Sequence, residues 1–402
     1  MRRKIIIITN SFPFLPGEQF IESEILFWAE RDDIEVTLMP FRFGNEEIRK
    51  IPENIKLDLS LCANCNKLQK LFFLAKAILN PKTYVQAYKE KSINKNLFCL
   101  IEAQASILKN TSLLEKNLRG FFDDGLVVYT YWHNNITYAF QNLKNKYNFR
   151  LVSRIHGYDL YEERRQKKYI PLKRQYSENI DVVYALTDSA REYMVQQYKY
   201  EKSTIKISRL GVIDRGIVTL PNADNIIHIV SCSYIVEVKR LDKIIQAISS
   251  LTSNKEIVWT HIGTGNMYSQ IFELAKNKLK NFELLGDLSN GDVFEFYKKS
   301  KIDIFINTSE SEGVPFSIME AMSCHIPVVA PDVGGVGDIV YNNFNGKLLS
   351  SECTIKEIAN ALVDINFFRQ EKTRKNAYGT FLKKFNSEEN YKNFIKDVLD
   401  GY

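Results

Sequence analysis

Two carboxylates, a lysine and two histidines are the residues of this chain best suited to bind and move a polar group. Glu312 and Glu320 stand in the stretch Asn307-Thr-Ser-Glu-Ser-Glu312-Gly313-Val314-Pro315-Phe-Ser-Ile-Met-Glu320-Ala321. An apolar run precedes it, Gly and Pro interrupt it, and a helical pattern follows, so it reads as a strand end leading through a loop into a helix. Backbone amides from Gly313 to Phe316 then face whatever occupies the crevice, and the helix N-terminus adds partial positive charge that favours phosphate. Glu312 falls in the loop and Glu320 more than one turn into the helix, so the two can meet one elongated ligand at separate points. Carboxylates accept several hydrogen bonds and suit hydroxyl-rich ligands. Taken alone, two acids also fit solvated helix positions, a lysine such as Lys239 fits a surface charge, and His133 and His156 fit satisfied structural imidazoles.

The elements that must hold these residues are legible as short β-branched runs alternating with helical patterns, the mark of βαβ units and parallel sheets. In the first half the expected strands are Lys4–Thr9, Ile34–Met39, Leu126–Thr130, Leu151–Ile155 and Val182–Leu186, with a helix over Phe20–Arg31. A second series comprises Ile226–Cys232, Ile257–Ile262, Phe282–Leu285, Ile302–Asn307 and Ile326–Ala330. Two such series in 402 residues imply two α/β domains, each with its own core. Gly216, Pro221 and Asn222 interrupt the pattern between them, which places domains at 1–211 and 212–386 and a last amphipathic helix at 387–402. In open parallel sheets ligands bind beyond the carboxyl ends of the strands, where all the residues singled out above fall.

With Gly313, Ala321 and the following Ile326-Pro-Val-Val-Ala-Pro-Asp-Val-Gly334-Gly335, the two-glutamate stretch resembles the retaining family 4 glycosyltransferases of the GT-B fold. The resemblance is strongest from Ile226 to Gly346. It implies two Rossmann-like domains facing each other across a cleft, with the C-terminal helix crossing back to the first. It also implies a nucleotide-diphosphate sugar as substrate (a uridine diphosphate sugar first, a guanosine diphosphate sugar next), no cofactor and no metal. A glycan or lipid-linked acceptor and a place in bacterial surface-polysaccharide assembly follow in the same way. By register with the family's motifs, Lys239 in Ser231-Cys-Ser-Tyr-Ile-Val-Glu-Val-Lys239-Arg240 matches the lysine for the donor diphosphate. Gly263 and Gly265 match glycine turns beside the nucleotide, and Gly17 in Asn10-Ser-Phe-Pro-Phe-Leu-Pro-Gly17-Glu18 matches the N-terminal glycine loop. His156 in Arg154-Ile-His156-Gly-Tyr-Asp159 matches the cleft histidine, which would hold a sugar hydroxyl or the departing phosphate; His133 and Asp159 are acceptor-side candidates. Glu312 would hold donor-sugar hydroxyls, Glu320 the ribose, and Gly313, Val314 and Pro315 the phosphates. Tyr234 stands where the family usually has an arginine, so Arg240 or Arg209 is expected to compensate. Two other classes fit part of the pattern. A nucleotide-dependent oxidoreductase shares the sheets, but Asn10-Ser-Phe-Pro lacks G-x-G-x-x-G; a non-catalytic sugar-nucleotide-binding scaffold would share the site and lack turnover.

Composition narrows the partners. The net charge of +6 is concentrated between Asn64 and Arg119, where lysines interleave with Leu68, Leu71, Phe72 and Ile78 at helical spacing. Residues 67–95 thus read either as a solvated helix face or as a basic amphipathic surface for peripheral contact with anionic membrane. No nucleic-acid motif accompanies the charge. No apolar run reaches the ~18 residues that span a bilayer, and the short run after Met1-Arg2-Arg3-Lys4 is too brief for a signal peptide, so a cytoplasmic protein is expected. Of six cysteines only Cys62 and Cys65 form a close pair; with no second pair to complete zinc ligation, reduced thiols are expected.

Overall fold

The computed structural model describes residues 2–400 except 16, 19, 46, 63–66, 91–95, 123–124, 166, 223–224 and 253–254. The chain divides into two compact units, Met1–Arg209 with Tyr391–Tyr402, and Leu210–Asn390.

The N-terminal unit is built on seven strands, β1 (Arg3–Thr9), β2 (Ile34–Pro40), β3 (Lys56–Leu57), β4 (Val127–Thr130), β5 (Arg150–Ile155), β6 (Val182–Ala185) and β7 (Ile205–Ile207). They hydrogen-bond in the order β3-β2-β1-β4-β5-β6-β7, and the pairings are parallel, with Arg3 to Thr9 opposite Ile34 to Pro40. The isoleucine run of β1 suits a strand buried on both faces. Ile6 and Ile8 join Val128 and Leu151 on one side; Ile5 and Ile7 join Val127, Tyr129 and Val152 on the other. The helix Ser387–Asp400 ends on that second face, where Phe394, Ile395, Val398 and Leu399 complete the core. Tyr184 donates to Asp397 at 2.7 Å beside it.

The second unit repeats the plan with six strands, β8 (Ile226–Cys232), β9 (Glu256–Ile262), β10 (Asn281–Leu284), β11 (Ile304–Ile306), β12 (Val328–Pro331) and β13 (Gly346–Leu349). Their order is β10-β9-β8-β11-β12-β13, again parallel, with Ile226 to Cys232 opposite Glu256 to Ile262. Val230, Phe305, Val328 and Ala330 face one core, and Ile227, Ile229, Ile304 and Val329 the other. β12 starts after Pro327, which has no N–H to give a ladder, rather than at Ile326. Three edge strands, β3, β7 and β13, were not expected from the sequence. Among the described residues no helix is long and apolar enough to cross a membrane. Cys62 is buried with its thiol donating to the Pro40 carbonyl at 3.2 Å, and burial pushes that thiol up to about 11; Cys65 lies outside the described residues.

Candidate functional site

In the second unit, β11 ends at Ile306 and releases Asn307, Thr308 and Ser309 into the loop that carries Glu312. The Asn307 side chain accepts from the Ser309 amide at 2.9 Å, which turns the backbone out of the strand. Oε1 of the buried Glu312 then receives the Lys239 ammonium at 2.6 Å, the Ser309 hydroxyl at 2.6 Å and the Asn307 amide at 3.1 Å. Lys239 ends the short 3-10 turn Glu237–Lys239 after β8. The Thr308 hydroxyl lies 3.0 Å from the carbonyls of both Lys239 and Arg240, pinning the two loops together. Lys239 and Glu312, placed at one site by the sequence reading, are thus a direct ion pair.

Arg240 is different. It adopts a left-handed backbone with φ 50°, pairs with Asp242 at 3.0 Å and with Glu310, and is held more firmly charged by them. Arg209 pairs with Asp188 at 3.1 Å. Both arginines expected to replace the one missing at Tyr234 therefore already have carboxylate partners, while Tyr234 itself is exposed.

Gly263 and Gly265 have a local reason to be glycine. A Cβ on Gly263 would lie 1.9 Å from the Ser233 carbonyl oxygen, and one on Gly265 would lie 2.3 Å from that of Ile235. Ser233 and Ile235 donate back to Ile262 and Thr264 at 3.0 and 2.9 Å, so this turn runs against the backbone leading to Lys239. The close approach expected toward a nucleotide is made first to this loop. Gly313 accepts from the Gly335 amide at 2.8 Å, Val314 packs at the edge of the core, and Pro315 caps the helix Phe316–Ser323. Its carbonyl receives Ile318 and Met319.

Glu320 lies on that helix with its own partners. The Asn290 amide donates to its carboxylate at 2.6 Å, and Arg215 donates to the Asn290 oxygen at 3.1 Å. Burial pushes the Glu320 carboxyl up to about 7 against the opposing pull of Asn290 and Arg215. A carboxyl poised there offers both a donor and an acceptor to a diol. Sequence reasoning missed Asn290 and Arg215, and nothing in their neighbourhoods marks them.

The N-terminal unit gathers its residues at the ends of β4 and β5. Asp159 receives the amides of His133 and His156, each at 2.6 Å, one on each carboxylate oxygen. The ammonium of Lys173, wholly buried, donates to the carbonyl of His133 at 2.9 Å and to that of Asp159. Desolvation raises the Asp159 carboxyl and lowers the Lys173 ammonium, each opposed by the other's charge. His133 is wholly buried, its Nε2 2.7 Å from the Tyr200 hydroxyl. His133 and Asp159, the acceptor-side candidates, are thus both buried, with Asp159 fastening the backbone of the two loops. Lys173 was not foreseen.

His156 stacks on Tyr131 with ring centroids 4.9 Å apart and lies 4.7 Å from Trp132. Its Nε2 is 3.1 Å from the Tyr131 carbonyl, which can only accept, so Nε2 carries the hydrogen and Nδ1 is the acceptor. Burial, then the Arg154 charge, pushes this imidazole down to about 3. His156 is thus a neutral ring that opens the short helix Gly157–Leu160, its side chain and that of Asp159 forming a capping box. Nearby, the buried Glu18 accepts the amides of Asn10, Ser11 and Phe12 at 3.1, 2.7 and 2.6 Å and the Trp132 indole at 2.5 Å. It shapes the loop that carries Gly17, whose φ is 91° with open space where a Cβ would sit.

Comparison with known proteins agrees with this layout. The family model for glycosyl transferases group 1 matches residues 217–384. An uncharacterized glycosyltransferase of Methanocaldococcus jannaschii is 30% identical over 251 residues, covering 61% of this chain and 67% of that protein. The GtfA subunit of the UDP-N-acetylglucosamine–peptide N-acetylglucosaminyltransferase of Streptococcus agalactiae is 26% identical over 188 residues, 44% of this chain and only 35% of its own length. Among solved structures, the lipopolysaccharide outer core galactosyltransferase WaaB aligns with a TM-score of 0.72 at 16% identity, covering 99% of this chain and 100% of that one. That likeness identifies the GT-B fold. With a fold, a family model and a relative covered over two thirds of its length in accord, the chain belongs to the group 1 glycosyl transferases.

Proposed function

We propose that this chain is a retaining, metal-independent glycosyltransferase that takes a sugar from a nucleotide diphosphate and passes it to a glycan or lipid-linked acceptor in surface-polysaccharide assembly. The observation that carries this reading is the Lys239–Glu312 ion pair at the carboxyl end of β11, with Glu320 on the helix that follows. A donor diphosphate, with more negative charge than one carboxylate, draws Lys239 away from Glu312. Lys239 then stabilises the charge that develops as the diphosphate leaves, assisted by the N-terminal amides of the helix Phe316–Ser323. Glu312, released, accepts from donor-sugar hydroxyls, and Glu320 accepts from the ribose. Retention is then achieved by acceptor attack on the face the diphosphate leaves, a phosphate oxygen taking the acceptor's proton.

The uridine nucleotide is preferred, in keeping with the UDP-sugar named for the streptococcal relative; guanosine is the next choice. Thermal stabilisation by a panel of nucleotide sugars tests the donor, because a ligand bound only to the folded state raises its melting temperature. Slow donor hydrolysis under excess chelator tests turnover and metal independence together, and the anomeric configuration of the product by nuclear magnetic resonance tests retention. Stabilisation without hydrolysis or transfer would leave a sugar-nucleotide-binding scaffold.

A further inference from the structure

The helices α2 (Lys67–Leu79) and α3 (Pro81–Lys89) of the N-terminal unit bury one narrow face each. α2 sets Phe73, Leu74 and Ala77 against Ile101, Ala105 and Leu108, and α3 sets Ala87 against Leu100 and Ile107; these partners lie on the helix Leu97–Leu118. The Thr83 hydroxyl donates to the Ala77 carbonyl at 2.8 Å and ties the hairpin.

The opposite side is apolar and open. Leu68, Leu71, Phe72 and Leu79 are 76, 61, 54 and 80% exposed, and Tyr88 on α3 is 76% exposed. At about 100° per residue, positions 68, 71, 72 and 79 fall on one stripe, diametrically across from Phe73, Leu74 and Ala77. Scattered exposed leucines are ordinary; a contiguous stripe marks an interaction surface. Its charge is of one sign. Lys67, Lys70, Lys76, Lys82 and Lys89 lie along the two helices, and no acid occurs between Lys67 and Lys89. Lys76 extends over the Phe72 ring at 4.5 Å, its stem along the apolar stripe and its ammonium at the border.

We propose that the α2–α3 hairpin docks on an anionic lipid bilayer, with Leu68, Leu71, Phe72 and Leu79 entering the acyl boundary and Lys67 and Lys76, which flank that stripe, meeting the headgroups. Charge complementarity selects this occupant. A second copy applied to the same face by two-fold symmetry would bring lysines against lysines with no acid to answer them. Aliphatic side chains flanked by flexible cations match the depth profile of an anionic interface, apolar inside and negative at its rim. The assignment stands on the N-terminal unit alone and does not depend on which nucleotide sugar is the donor.

Co-sedimentation of the full chain with phosphatidylglycerol-containing vesicles and with pure phosphatidylcholine vesicles tests it, alongside light scattering of the protein in solution. Two variants are compared, one with Leu68→Ser, Leu71→Ser and Phe72→Ser, the other with Lys67→Glu and Lys76→Glu. Wild type should bind the anionic vesicles in a salt-sensitive way, and each variant should lower the partition coefficient by at least about tenfold with an unchanged melting profile. Should the serine variant melt differently, the glutamate variant decides. Wild type left in the supernatant at low salt, equal binding to neutral vesicles, or binding untouched by both variants overturns the proposal. So does a dimer that the serine variant dissolves, which would assign the face to a second copy.

Discussion

The loops around His156 in the N-terminal unit and those around Lys239 in the second unit use the same kinds of residue in opposite ways. Around His156 the charged groups are buried and bond to main chain: Asp159 to two amides, Lys173 to two carbonyls, Glu18 to three amides. Around Lys239 the charged groups bond to other side chains, Lys239 to Glu312, Arg240 to Glu310, Glu320 to Asn290. Main-chain bonds fix a shape, and giving them up costs the fold. Side-chain bonds can be exchanged for a ligand's without unmaking the path of the chain. The first set of loops is therefore a rigid wall and the second an exchangeable charge array, which is where an anionic donor should do its work.

The sharpest way to break this contrast is at Lys173. Lys173→Met leaves the Asp159 carboxylate buried with no countercharge and should cost about 3–5 kcal/mol in urea unfolding. A loss below about 1 kcal/mol would show that the N-terminal wall is as exchangeable as the other site.

Next comes Lys239→Ala, which should reduce donor turnover by roughly 10²–10³, or about 3–4 kcal/mol of charge stabilisation, with little change in melting temperature. The two lysines should thus separate cleanly, one read in stability and the other in rate. Near-normal turnover for Lys239→Ala would remove it from the diphosphate.

The smallest effect concerns Glu320 and pH. Its carboxyl is raised to about 7 in the folded chain from 4.5, so between those values the folded state holds a proton that the unfolded state has lost. Stability is then full below pH 4.5, falls as pH rises and levels off above about 7, for a total of up to about 3 kcal/mol. Glu320→Gln should flatten that fall, and melting temperatures of both proteins from pH 4.5 to 8 measure it. An identical slope in the two would mean that Glu320 titrates as an ordinary solvated acid.

What could be read from the sequence follows the same division. Buried central strands announce themselves by unbroken apolar runs, and Ile226–Cys232 is found where it was expected. The edges β3, β7 and β13 span two to four residues, too few for a pattern to register. The nearness of Lys239 to Glu312 was legible because motif spacing carries it. Lys173 was not: it is one of three basic residues within Lys168-Tyr-Ile-Pro-Leu-Lys173-Arg174, and only the tertiary fold decides which one turns inward. The burial of His133 was hidden for the same reason, since its partner Tyr200 is 67 residues away. For α2 the helical periodicity was plain, while the side left uncovered emerges only once the helix Leu97–Leu118 is in place.

The Glu18 carboxylate gathers the loop Asn10–Phe12 through its three amides and the Ser11 hydroxyl, and the side chain of Asn10 takes no part in those bonds. A turn organised in this way is an editable surface: position 10 can be exchanged to change what the loop presents while the path of the chain stays as it is. Glu18 cannot be traded so freely, because its left-handed backbone and its five donors belong to a single geometry. Diversity of specificity on a constant scaffold can be written into such a loop one letter at a time.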